Sequence, residues 1–109
     1  MSKKSYSGIW PVAPTPFMPS GEVDYDGMLR VLELMIDQGV DGICILANFS
    51  EQFLISDEER EKLMRVSLEK VAGRVPVIVT ISHFATEIAV ARARLAKLLG
   101  ASMVMIMAP

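Results

Sequence analysis

Cysteine and histidine each occur once in this chain, and each shortage excludes a class of chemistry. A single thiol, Cys44, cannot close an internal disulfide, so a reducing, cytoplasmic setting is expected. His83 has no second histidine or cysteine to join it, so neither a metal centre nor any other cofactor is expected. The chain also lacks a basic excess. Its net charge is −2, which offers no field for nucleic acid or an acidic membrane. No apolar run approaches the roughly 20 residues that cross a bilayer. Lys3 and Lys4 have no apolar stretch behind them, so no secretory leader is expected. Glycine is missing from Ala13-Pro-Thr-Pro-Phe17, where a nucleotide-binding turn would need it.

What remains is a globular composition, 51% hydrophobic and 22% charged. The 109 residues are enough for one domain or part of one. Residues 1–7 read as a flexible lead, and residues 8–109 as the folded portion.

Gly8-Ile-Trp-Pro-Val-Ala13 has the pattern of a short first strand, although Pro11 is awkward in a central one. Asp24 is placed to cap a helix whose apolar stripe runs through Met28, Val31, Leu32, Leu34, Met35 and Ile36. Gly39 is expected to end it in a left-handed conformation. Val40 to Leu46 is apolar on both faces and reads as a second strand. Cys44 within it reads as a small buried hydrophobe, with a nucleophile as the alternative. Ser56-Asp-Glu-Glu59 is a capping box opening a helix that runs to Val71 and closes at Gly73. Glu58, Glu59, Glu61 and Lys62 read as its solvated face. Val75 to Ile81 is a third strand. A third helix spans about Thr86 to Leu99, with Ile88, Val90, Ala91, Leu95, Leu98 and Leu99 as its apolar side. Ser102 to Met107 is a fourth strand.

Gly39, Gly73 and Gly100 mark a weak repeat of helix, glycine and strand. Alternating strands and helices imply a parallel sheet, and doubly apolar strands imply cover on both faces. Periodicity alone leaves open both a doubly wound sheet and a closed barrel.

In parallel α/β folds the chemistry gathers where strands end. After the first strand comes Ala13-Pro-Thr-Pro-Phe17. After the second comes Ala47-Asn-Phe-Ser-Glu51, which brings an amide, a hydroxyl and a carboxylate out of an apolar strand within four residues. Loop amides there can bind an anion such as a carboxylate, or the side chains can serve their own turn. After the third comes Ser82-His83-Phe84, where His83 is either a proton shuttle or a structural side chain. A Schiff-base lysine must be desolvated. Lys62, Lys70 and Lys97 all fall on helices, so none is a plausible imine former.

Several motifs in order carry a resemblance. They are Gly8 to Phe17 with Thr15-Pro16, Val23-Asp24, Gly39-Val-Asp-Gly42, Leu54-Ile-Ser-Asp-Glu-Glu-Arg60 and Gly73-Arg-Val-Pro-Val77. Together they resemble the dihydrodipicolinate synthase and N-acetylneuraminate lyase family from Gly8 to Pro109. The resemblance implies the first part of a (β/α)8 TIM barrel, about four strands and three helices, incomplete as it stands. It implies a class I lyase that forms an imine with a 2-keto acid substrate and is tetrameric when full length. The imine lysine and its relay tyrosine would lie beyond Pro109, so the 109 residues alone are expected to be inactive.

The family's usual loop after the second strand reads Gly-Thr-Thr-Gly-Glu. Here Ala47-Asn48-Phe49-Ser50-Glu51 stands in its place. The departure points away from synthase chemistry and toward a subgroup that dehydrates 2-keto-3-deoxy sugar acids. By that resemblance Asn48 and His83 are candidate catalytic residues. Ala13, Asn48, Phe49 and Ser50 are candidate substrate contacts, and Thr15 and Glu51 support the loops. An aldolase of the same family is the alternative within catalysis. A half-barrel interaction module without chemistry is the alternative outside it.

Overall fold

A computed structural model describes residues 7–47 and 55–106. Three helices alternate with three strands: α1 (Tyr25–Asp37), β1 (Ile43–Ile45), α2 (Asp57–Val71), β2 (Val77–Thr80), α3 (Thr86–Leu98) and β3 (Met103–Met105). The sheet order is β1-β2-β3, and both pairings are parallel.

The first two helices begin where side chains can satisfy their free amides. Asp24 accepts from the Gly27 amide at 2.9 Å. Ser56 accepts from the Glu59 amide at 3.1 Å, while the Glu59 carboxylate accepts from the Ser56 amide at 2.9 Å. Both halves of the expected capping box are therefore formed. After the helices the backbone turns left-handed at Gly39, Gly73 and Gly100, with φ of +80°, +76° and +98°. At the end of α2 the turn begins one residue early, at Ala72 with φ +49°.

The expected first strand is reduced to one parallel bridge, Val12 to Cys44. Ala13 donates to the Cys44 carbonyl at 2.8 Å, and Cys44 to the Pro11 carbonyl at 3.0 Å. Pro11 has no N–H, so this segment cannot carry a full ladder. The other strands are also shorter than their apolar runs. Leu46 takes φ +61° and turns the chain out of β1, although the run continues through it.

The core lies between the helices and one face of the sheet. Met28 and Leu32 of α1 meet Ile43 and Ile45 of β1, with Leu63, Met64, Leu68 and Val71 of α2 and Val77 and Val79 of β2. The register puts Val12, Cys44, Ile78 and Met103 together on the opposite face. Gly42 has a packing reason of its own: a Cβ there would run into the Trp10 ring.

The third helix departs from expectation. Only Ala96 is buried, while Ile88, Val90 and Leu98 of its apolar side are exposed. Val90, Ala93, Ile81, Val104 and Ile106 instead line an open apolar groove of about 420 Å³ between α3 and β3. Beyond β3, no element among the described residues covers them.

Candidate active site

The carboxyl ends of the strands present three clusters. The first is Ala13 to Thr15. Ala13 is fully buried, and its amide is held by the Cys44 carbonyl. Thr15 is buried too, and its hydroxyl has no hydrogen-bond partner among the described residues. A buried hydroxyl without a partner is costly, so it marks a point where a further polar group fits.

The second cluster, at the end of β1, falls largely outside the described residues. Asn48, Phe49, Ser50 and Glu51 all lie there. What is described is the approach to it. Leu46 is fully buried in a left-handed conformation, which is unusual for a branched side chain and marks a constrained strand end.

The third cluster ends β2. Thr80 and Ser82 are buried, and His83 is half-buried. The Ala85 amide donates to His83 Nδ1 at 2.9 Å. That bond leaves the neutral ring its proton on Nε2, so Nε2–H is the end free to donate. Phe84 stands edge-on to the imidazole, with ring centroids 6.4 Å apart. Thr80 Oγ1 lies 4.0 Å from Cys44 Sγ on the face opposite the core. Burial pushes the Cys44 thiol above its ordinary pKa, which suits an inert packed thiol rather than a nucleophile.

Thr80 and Arg60 were not among the residues singled out from the sequence, and Ser82 was named there only as the start of the segment that carries His83. Thr80 and Ser82 carried a usable signal, since they alternate with Val79 and Ile81 and so share the face of Ile78. Arg60 carried one as well. It stands three and four residues before Leu63 and Met64, on the apolar stripe of α2. It is the one charged side chain among that helix's buried residues. Arg60 Nη2 donates to the Thr80 carbonyl. Arg92 of α3 donates to the Ser82 carbonyl at 2.6 Å and to Asp57 at 3.0 Å.

The acidic start of α2 is less uniform than a solvated face. Glu59 also accepts from the Val23 amide at 3.4 Å, and Lys62 lies 4.2 Å from the centre of the Tyr25 ring. Lys70 pairs with Glu33 at 3.5 Å. No lysine stands in β1, β2 or β3. Among the described residues no group of three histidine, cysteine, aspartate or glutamate side chains could hold a metal ion. No helix among them is long and apolar enough to cross a membrane.

Comparison with known proteins agrees with this architecture. Residues 5–109 match the model of the dihydrodipicolinate synthetase family. The chain is 56% identical over 108 residues to L-2-keto-3-deoxyarabonate dehydratase of Azospirillum brasilense, covering 99% of this chain and 35% of that protein. It is 37% identical over 100 residues to 4-hydroxy-tetrahydrodipicolinate synthase of Polynucleobacter asymbioticus, covering 92% of this chain and 33% of that one. Its structure matches N-acetylneuraminate lyase from Mycoplasma synoviae with a TM-score of 0.91 at 31% identity, covering 95% of this chain and 36% of that one. The chain thus spans about a third of the length of the relatives it matches, and its strands and helices are part of their barrel. From the family match and the shared fold, the chain belongs to the dihydrodipicolinate synthetase family.

Proposed function

We propose that the protein carrying this chain is a Schiff-base lyase that dehydrates 2-keto-3-deoxy sugar acids, with L-2-keto-3-deoxyarabonate as substrate. The observation that carries the reading is the 56% identity to a dehydratase of that substrate, against 37% to a synthase of the same family. The loop Ala47-Asn48-Phe49-Ser50-Glu51 supports it, because both threonines and both glycines of the family's usual loop are absent.

The chemistry has a simple order. A lysine amine condenses with the C2 carbonyl and releases water. The resulting iminium is an electron sink, so a C3 proton becomes acidic and leaves to a base. The electron pair of that C–H bond forms the C3–C4 double bond as the C4 hydroxyl departs, protonated by an acid, as water. Loss of a C5 proton and protonation at C3 shift the double bond to C4–C5, and the resulting enol gains a proton at C4 and loses its hydroxyl proton to become the C5 aldehyde. Hydrolysis of the imine then frees the lysine and 2-oxoglutarate semialdehyde. This chain would supply walls and polar contacts for those steps. In this reading Ser50 and neighbouring amides hold the substrate carboxylate. Asn48 orients a hydroxyl or a water, and His83 assists a proton transfer through Nε2. Ala13 and Phe49 bound the substrate, while Thr15 and Glu51 support the loops. The nucleophilic lysine and the relay tyrosine belong to the part of the barrel after Pro109. A homotetramer in the cytoplasm completes the proposal.

The test is an assay of the full-length protein with L-2-keto-3-deoxyarabonate. Formation of 2-oxoglutarate semialdehyde is expected. Condensation of pyruvate with aspartate semialdehyde, without dehydration, would defeat the assignment.

A further inference from the structure

Among the described residues, the Arg60 guanidinium is the buried charge with the most unmet hydrogen-bond donors. The residue is only 3% exposed, and its Nε and Nη1 have no hydrogen-bond partner among the described residues. Burial, with Arg92 nearby, pushes its pKa down to about 10. A buried cation with unmet donors is a poor way to stabilise a fold, and an apolar side chain of similar volume commonly does better. Its one described bond goes to the backbone of Thr80, the last residue of the strand that leads to His83.

The register shows what that bond replaces. Ile43 pairs with Val77 and donates to the carbonyl of Pro76, one residue earlier. The same step, carried two pairs along, would bring the amide of residue 47 onto the carbonyl of Thr80. Leu46 breaks the series by turning left-handed. The Arg60 guanidinium sits on the Thr80 carbonyl instead, and Arg92 holds the Ser82 carbonyl two residues on. Side chains of α2 and α3 therefore hold two backbone carbonyls, one at the end of β2 and one two residues past it, immediately before the imidazole.

We infer that Arg60 is a positioning residue for the active site: its guanidinium stands in for the missing amide of an extended β1 and fixes the strand end that aims His83. The inference rests on the lyase reading for its catalytic consequence and on the geometry alone for its structural one. The groups facing Arg60 across the α2–α3 groove are Asp57, Glu61, Glu87 and Arg92, and of these only Asp57 has a described bond to Arg92.

The experiment compares Arg60→Met and Arg60→Lys in the full-length protein by thermal unfolding, by kcat and KM with L-2-keto-3-deoxyarabonate, and by crystal structure. Arg60→Met is expected to unfold at or above the wild-type temperature while kcat falls at least about tenfold. The crystal should show Thr80 to His83 displaced. Arg60→Lys, which can still donate to the carbonyl, should recover most of kcat. An unchanged kcat in Arg60→Met would overturn the inference. So would a loss of kcat that only follows a loss of stability, with β2 unmoved. If Arg60→Met does not fold, Arg60→Lys decides by the same kcat and crystal readouts: a retained strand end with kcat near wild type supports positioning, and a retained strand end with kcat lost refutes it. If the wild-type protein does not turn over this substrate, the lyase reading fails, and the crystal comparison alone decides whether Arg60 sets the strand end.

Discussion

Helices α2 and α3 flank the same strand, yet they are held in different ways. The second helix has both halves of a capping box at its start, and six of its residues are buried. The third begins at Ala85 without a side-chain cap, buries only Ala96, and leaves Val90 and Leu98 exposed. A cap is a local device that needs nothing beyond its own turn. An apolar stripe is an offer of surface, and its worth depends on the neighbour that accepts it. For α2 the neighbours are α1 and the sheet. For α3 they are β2, β3 and an open apolar groove.

The largest test of this contrast is truncation of one leucine on each helix. Leu63→Ala, at a fully buried position, is expected to cost about 3 kcal/mol in urea unfolding. Leu98→Ala, at a position 83% exposed, should change stability by less than about 0.5 kcal/mol. Equal losses would show that α3 is as well covered as α2. Next come the caps. Ser56→Ala removes one half of the box and should cost about 1 kcal/mol. Ala85→Ser offers α3 the cap it lacks, at a residue whose backbone is already extended, and should raise stability by about 0.5 kcal/mol. A loss there would mean that the Ala85 amide and His83 do not tolerate a competing hydroxyl.

The smallest effect is one of pH. The Ser56 amide, by bonding the Glu59 carboxylate, holds it below the ordinary carboxylate pKa. A lowered folded-state pKa contributes stability that is complete above the unfolded value and lost as pH falls through the folded one. Urea midpoints measured from neutral into acid should therefore fall less steeply for Glu59→Gln than for wild type. Parallel curves would remove the carboxylate from the cap's energetics.

Much of the scaffold was legible because it is written in local rules. Asp24, Ser56 and Glu59 announce helix starts by short-range hydrogen bonds, and Gly39 an end by its positive φ. Strand lengths were not legible, because Pro11 and Leu46 cut ladders that apolar runs alone would extend. The fate of Val90 and Leu98 depends on long-range cover, on which a periodic stripe is silent. At the site, the sequence pointed to the strand ends and named Ser82 beside His83, but it passed over Arg60 and Thr80. Charge on a helix reads as solvent-facing by default. Only its coincidence with the stripe of Leu63 and Met64 betrays a buried guanidinium.

The proposed division of labour, binding walls in this segment and the nucleophile elsewhere in the barrel, is open to one direct measurement. The full-length protein is incubated with pyruvate, reduced with borohydride, digested and mapped by mass spectrometry. The covalent adduct is expected on a lysine after Pro109, with Lys62, Lys70 and Lys97 unmodified. An adduct on any lysine within these 109 residues would contradict that division.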